Sequence, residues 1–191
     1  MAPKIKITET AILDAAIEIT RDNGISGVNA RELAKSLGCS VQPVFRCFQS
    51  MDNLKQDLYQ KAGNIFDEYM RRGMECHKIA FLGMGLAYID FAKKEKNLFK
   101  FLFMSDGFKG KSILDMIKDN GNQEIVHMIS GMTGLDFKSA EQLFLSIWLT
   151  THGIASMMAT NDCDFSEEQM VRLLMDSFSG MKYQLSIRGD K

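Results

Sequence analysis

The chain has 191 residues, 46% of them hydrophobic and 25% charged, with 2 prolines. Such a length makes one large domain or two small ones and buries about 70% of the unfolded surface, so it needs no disulfide or metal to hold it. With 23 Lys and Arg against 24 Asp and Glu the formal charge is −1. This excludes a strongly basic tail that coats nucleic acid and an acidic disordered region, while leaving room for a local basic face.

The cysteines at 39, 47, 76 and 163 form no Cys-x-x-Cys pair, and only Cys76 and His77 bring two metal-ligand types together. No metal or other cofactor is expected. The opening MAPKIKITET lacks the apolar stretch of a signal sequence, so the cysteines read as reduced thiols of a cytoplasmic protein. Two charge-poor runs are long. Residues 79–92, with Asp90 as their sole charge, are too few for the ~20 that cross a bilayer. Residues 143–160 come closer, but they carry Ser146, Thr150, Thr151, His152 and Ser156 and have no flanking Lys or Arg. Both are expected as buried helices, without membrane contact.

The periodicity is helical nearly throughout. Ile12, Ala15, Ala16 and Ile19 make one stripe of a 3.6-residue period, with Thr8 as an N-cap and Gly24 as the stop. Asn29 followed by Glu32 has the capping-box spacing and opens a short helix with Ala30, Leu33, Ala34 and Leu37 inward. Gly38 suits a sharp reversal. Ser40 is expected to cap the next helix, Pro43 to fall in its first turn, and Val41, Val44 and Phe48 to point back to Leu33 and Leu37. The shape is a helix-turn-helix.

Ser50 opens a helix to about Gly73, ~30 Å long at ~1.5 Å per residue, with Leu54, Leu58, Ala62, Ile65, Phe66 and Tyr69 on one face. Helices about 79–94 and 96–104, a loop at 105–111, and helices about 113–131 and 137–160 follow. The last starts at Ser166, in a second capping box with Gln169, and runs to about Leu185. No strand alternation or repeat is present.

Residues 11–59, AILDAAIEITRDNGISGVNARELAKSLGCSVQPVFRCFQSMDNLKQDLY, resemble the TetR family of bacterial transcriptional regulators. Leu33-Ala34 stand for the family's Ile-Ala and Gly38-Cys39-Ser40 for its Gly-Val-Ser; Phe48, Ser50 and Leu54 match directly, and Asn29 stands where Thr is usual. Trp148, His152 and Gly153 resemble the W…HG signature of one class of TetR-like C-terminal domains. The resemblance implies an all-α protein: a three-helix DNA-binding domain over 1–50, then a helical ligand-binding and dimerisation domain over 51–191, with 51–73 as connector. The implied function is a ligand-responsive repressor that binds a palindromic double-stranded DNA operator as a homodimer. Helices about 137–160 and 166–185 would form the dimer contact, and a small apolar or amphipathic effector would release the DNA.

In a helix-turn-helix the start of the second helix meets base edges, which points to Ser40, Val41, Gln42, Pro43 and Arg46. Gln42 suits adenine, Arg46 guanine or a phosphate, and Val41 or Pro43 a thymine methyl; Asn29, Arg31 and Lys55 are phosphate candidates. Phe45, Met51 and Cys47 stand where the family's Tyr, Lys and often His do. Phe45, within the DNA-binding set, and Met51 lack the hydroxyl and ammonium that hold phosphates in the family, so backbone anchoring is weaker or supplied elsewhere. Over 31–61, Arg31, Lys35, Arg46, Lys55 and Lys61 face Glu32, Asp52 and Asp57, a modest surplus for neutralising phosphate. The alternative is an all-helical dimeric small-molecule binding protein without DNA affinity. Cys39 and Cys47 flank the recognition helix, where a redox switch is conceivable.

The ligand cavity implied by the resemblance draws its candidate walls from Phe81, Tyr88, Phe91, Phe99, Phe103, Trp148, Thr151 and His152. A chain with 14 Met and 13 Phe has an adaptable interior. There is no Gly-x-Ser-x-Gly, His-Glu-x-x-His or Gly-rich phosphate loop, so the chain is not expected to be an enzyme.

Overall fold

The computed structural model describes residues 7–105, 120–161 and 163–189. Its helices are α1 (Glu9–Asn23), α2 (Ala30–Ser36), α3 (Gln42–Phe48), α4 (Met51–Cys76), α5 (Ala80–Lys94), α6 (Lys96–Phe103), α7 (Asn120–Thr133), α8 (Phe137–Thr160) and α9 (Glu167–Gly189). A 3-10 turn at Ile25–Gly27 follows α1, and the described residues hold no strand. The chain is all-α, as its periodicity predicts. The expected loop beyond residue 105 and the first part of the helix expected at 113–131 lie outside the described residues.

Local chemistry sets several helix ends. Thr8 Oγ1 accepts the Ala11 N–H at 3.2 Å, and Gly24 closes α1 at φ 71°. Ser50 Oγ accepts the Asn53 N–H at 3.1 Å to start α4. Ser166 and Gln169 form a reciprocal capping box, with N–H to oxygen distances of 3.2 and 2.8 Å.

The chain divides into two compact units. The first holds α1 to α3, α4 as far as Glu68, and 94–105 with α6; the second holds 69–93 and everything described from 120 onward. The first unit is thus larger than the 1–50 segment expected from the sequence. Burial gives the reason: Leu54, Leu58 and Ala62 of α4 and Leu98 and Phe99 of α6 are fully buried, as are Ile12, Ala16 and Leu33. α6 packs on α1, and Arg21 forks Glu95 through Nε to Oε2 at 3.0 Å and Nη2 to Oε1 at 2.9 Å. Asn97 Nδ2 also donates to Arg21 O at 2.7 Å, occupying a carbonyl in the last turn of α1.

In the second unit α8 packs between α7 and α9. Val126 and Ile129 of α7, Leu143, Phe144 and Ile147 of α8 and Leu185 of α9 form its core. α8 is long and apolar enough to cross a membrane by composition alone. Its buried face, and the hydroxyls of Thr150 and Thr151 bonded back to the carbonyls of Ser146 and Ile147 at 3.0 and 2.8 Å, give it the structure of a bundle's core helix. Within the same unit the end of α4 crosses the start of α5 backbone against backbone. A β-carbon on Gly83 would collide with the Gly73 carbonyl, and one on Gly73 would lie 2.5 Å from Ala87 Cβ.

This crossing makes opposite predictions for two helical glycines. Gly83→Ala is expected to cost ~1–3 kcal/mol through overpacking. Gly63→Ala, within α4 and with open space around its α-carbon, is expected to add ~0.5–1 kcal/mol by removing glycine's backbone freedom. Urea denaturation midpoints of the two variants check both signs.

Candidate functional site

α2 and α3 are seven residues each, too short to persist alone. α2 is held open at its start by Asn29, whose Oδ1 accepts the N–H groups of Arg31 and Glu32 at 3.1 Å each while Nδ2 donates to Gly27 O at 3.2 Å. The amide of Asn29, a phosphate candidate by sequence, is therefore engaged by its own chain. The Glu32 carboxylate lies 3.9 Å from Lys35 Nζ. Gly38, at φ 62°, reverses the chain, and Cys39 N–H donates to Ala34 O at 2.9 Å.

The start of α3 differs from expectation. Ser40 makes no cap: Val41 holds the cap position with helical angles of φ −70° and ψ −17°, and no side chain caps the helix. Val41 is already in the helix-like path, and its carbonyl accepts the Val44 N–H at 3.2 Å, so Ser40 stays outside, exposed. Pro43 occupies the first turn, where its missing N–H costs little.

Helical period then divides the side chains. Val44 and Phe48 are 1% and 4% exposed and face the core, whereas Val41 and Phe45 are 37% and 44% exposed. Val41 thus points outward rather than toward Leu33 and Leu37. Gln42 and Arg46 are exposed too and Pro43 is half-buried. Two rows at i, i+4 spacing result, Val41–Phe45 and Gln42–Arg46, side by side. Arg31 and Lys55 are exposed, and neither they nor Arg46 has an ion-pair partner among the described residues. Lys61, by contrast, is paired with Asp14. Lys35 of α2 is 81% exposed at its side chain and lies 3.9 Å from Glu32. Cys39 and Cys47 are half-buried free thiols, and Met51 is half-buried at the start of α4.

The body residues named from sequence fall into three places. Tyr88, Trp148 and His152 form one cluster in the second unit: Tyr88 Oη lies 2.9 Å from His152 Nδ1, and the Trp148 ring stacks on the imidazole at 4.9 Å and 9°. Thr151 is buried beside them, its hydroxyl on the Ile147 carbonyl. Phe91 is fully buried, edge-on to Tyr69 at 5.1 Å. Phe99 and Phe103 belong to the first unit, their rings 5.2 Å apart. Phe81 alone of the set lines a hollow of about 220 Å³, with Met132, Ile147, Leu174, Met175 and Phe178 among its apolar walls. The periodic apolar positions of α9 were the only signal for that wall. A wider cleft of about 610 Å³ in the same unit is lined by Gly73, Gly83, His77, Asp90, Lys93 and Asp164, among others. Lys93 and Asp164 pair there at 3.2 Å, and His77 Nδ1 accepts the Ile79 N–H at 3.0 Å.

Burial raises the Tyr88 phenol's pKa and lowers that of His152, so both partners of their 2.9 Å hydrogen bond are favoured in the uncharged form. A histidine depressed below its ordinary 6.5 takes up its proton more readily in the unfolded chain. Its contribution to stability is therefore complete above about pH 6.5 and is lost as pH falls from there toward the folded value. Urea midpoints of the wild type are expected to drop over that window more steeply than those of His152→Gln.

Residues 12–58 match the family described as bacterial regulatory proteins, tetR family. The uncharacterized HTH-type transcriptional regulator YobS of Bacillus subtilis (strain 168) is 28% identical over 98 residues, 48% of this chain and 49% of that protein. The chain spans about half the length of this curated relative. Among solved structures, a protein with unknown function from Rhodococcus sp. RHA1 has the same fold at a TM-score of 0.73 and 17% identity, over 97% of this chain and 99% of that one. A TetR-like transcriptional regulator from Rhodococcus sp. RHA1 follows at a TM-score of 0.65 and 15% identity, over 94% and 97%. The segment that builds α1 to α3 and the start of α4 thus carries the sequence of the tetR family of bacterial regulatory proteins, and the chain shares its fold along nearly its whole length with a TetR-like transcriptional regulator.

Proposed function

We propose that the chain is a DNA-binding transcriptional repressor that works as a homodimer in the cytoplasm and releases a palindromic operator when a small apolar molecule occupies its body. The observation that carries this reading is α3. Its inner face is buried, its outer face offers Gln42 and Arg46 with no acidic residue on the helix, and Arg31 and Lys55, which have no ion-pair partner among the described residues, stand nearby in the chain. Glutamine and arginine are the side chains that pair bidentately with adenine and guanine in the major groove, and the cations supply phosphate contacts.

A twofold dimer would set two copies of α3 into successive major grooves ~34 Å apart. Leu149 and Met157 of α8 and Leu173, Tyr183 and Ile187 of α9 support such a dimer: all are exposed apolar side chains, Tyr183 at 64%, on two helices that pack on each other, and contiguous apolar exposure marks an interface. The apolar hollow supports a small, uncharged effector, since a charged group there would find no partner. Its occupancy would shift the continuous helix α4 and change the spacing of the two reading helices. A coupling of ~1–3 kcal/mol changes operator affinity about 5- to 150-fold.

The absence of donors at Phe45 and Met51 favours a second reading, a dimeric small-molecule carrier. Selecting bound duplexes from a random DNA pool separates the two. The repressor reading expects a palindromic consensus that Gln42→Ala with Arg46→Ala abolishes while the protein stays dimeric; recovery of no sequence selects the carrier. Sedimentation should show a dimer for the wild type and a monomer for Tyr183→Asp with Ile187→Asp. A wild-type monomer at micromolar concentration would remove the twofold arrangement.

A further inference from the structure

The polar row of α3 is what a reading helix needs; its apolar row requires a separate explanation. Val41 and Phe45 are large side chains, both more than one-third exposed, at i, i+4 spacing, Val41 in the cap position and Phe45 inside the seven-residue helix. The described residues leave them 37% and 44% exposed, whereas Val44 and Phe48 of the same helix are almost wholly withdrawn from water. Arg46 stands on the same helix, and the neighbouring helices in the chain carry exposed Arg31, Lys35 and Lys55 together with Glu32 and Asp52. Arg31, Arg46 and Lys55 have no ion-pair partner among the described residues, while Lys35 lies 3.9 Å from Glu32; an apolar row on a helix that also carries an exposed arginine is complementary to a surface that is apolar at one place and anionic beside it.

We infer that the operator half-site is read through the 5-methyl groups of thymine by Val41 and Phe45, alongside purine contacts by Gln42 and Arg46. The inference rests on the DNA-binding reading above. The thymine methyl is the alkyl group that distinguishes one base from the others in the major groove, where the remaining features are hydrogen-bond donors and acceptors. Phe45 has no hydroxyl with which to hold a phosphate oxygen, so its exposed ring gains only from an apolar partner. Residues four apart on a helix are separated by ~6 Å along its axis, and base steps rise ~3.4 Å, so the two side chains address thymines one or two base steps apart. Burying one methyl group against them is worth roughly fourfold in affinity.

The test replaces each thymine of a selected operator, one at a time, by deoxyuridine, which removes the methyl and leaves every hydrogen-bonding group in place. Fluorescence anisotropy with the full-length dimer reads the dissociation constant. One or two positions in each half-site are expected to lose about three- to tenfold in affinity on demethylation. Val41→Ala and Phe45→Ala should each weaken binding to the thymine duplex by a similar factor and become indifferent to deoxyuridine at one of those positions. Both residues are exposed, so the variants should keep the wild-type melting temperature, and Phe45→Leu, still apolar, should keep the methyl preference. Equal binding of all deoxyuridine duplexes overturns the inference while leaving DNA reading intact, as does full methyl discrimination in both alanine variants. A protein partner for the same ridge would appear as that first outcome. Failure to select any duplex removes the DNA reading itself, and this inference with it.

Discussion

Seven residues make barely two turns, and a helix that short does not persist in water. α3 exists because Val44 and Phe48 are withdrawn from solvent against a frame of α1 and α2, each such burial contributing ~1.5–3 kcal/mol. The burial that stabilises the helix also fixes its rotation. With ~100° between successive residues, sinking 44 and 48 leaves 41, 42, 45 and 46 outside, so the outward rows are a geometric consequence of the core and not an independent design. Changes at Leu33 or Phe48 would therefore re-aim the outward rows without altering any residue in them.

That frame is itself made from distant chain. α6 lies some seventy residues beyond α1, yet it supplies Leu98, Phe99 and Leu102 to the same unit and fastens the end of α1 through Glu95 and Asn97. The Arg21 guanidinium is held above its ordinary pKa first by its hydrogen bond to Glu95. The pair is half-buried and two-pronged, the geometry in which arginine and carboxylate hold each other in a defined orientation. The family's helix-turn-helix segment thus describes only part of the packing unit in which it sits.

Local signals in the sequence were sufficient for most helices. Stripes such as Ile12, Ala15 and Ala16, the caps at Thr8, Ser50 and Ser166, and the stop at Gly24 depend on neighbours within four residues, so they could be read directly. What depended on distant partners could not be. Phe99 and Phe103 read as candidate walls of a cavity in the body, but nothing local to them told that they pack with α1 and α4 in the first unit. Ser40 looked like a cap because its residue type is common there; the helical angles of Val41 pre-empted it. Gly73 read as a helix end, whereas α4 runs on to Cys76 and the glycine serves the crossing with α5. Of the outward side chains of α3, the polar row was legible from the motif. The outward turn of Val41 required knowing which side Val44 and Phe48 face.

The cluster around His152 has a practical consequence. Trp148 is the single tryptophan of the chain, and it lies face to face with the imidazole at 4.9 Å. Indole emission is sensitive to a stacked electron acceptor, and a protonated imidazole withdraws charge far more than a neutral one. The body of the molecule therefore contains its own optical reporter, whose brightness follows the ionisation of one neighbouring side chain and the tightness of one stack. Because no other indole contributes background, rearrangement of this bundle can be followed in unlabelled protein, in solution and in real time.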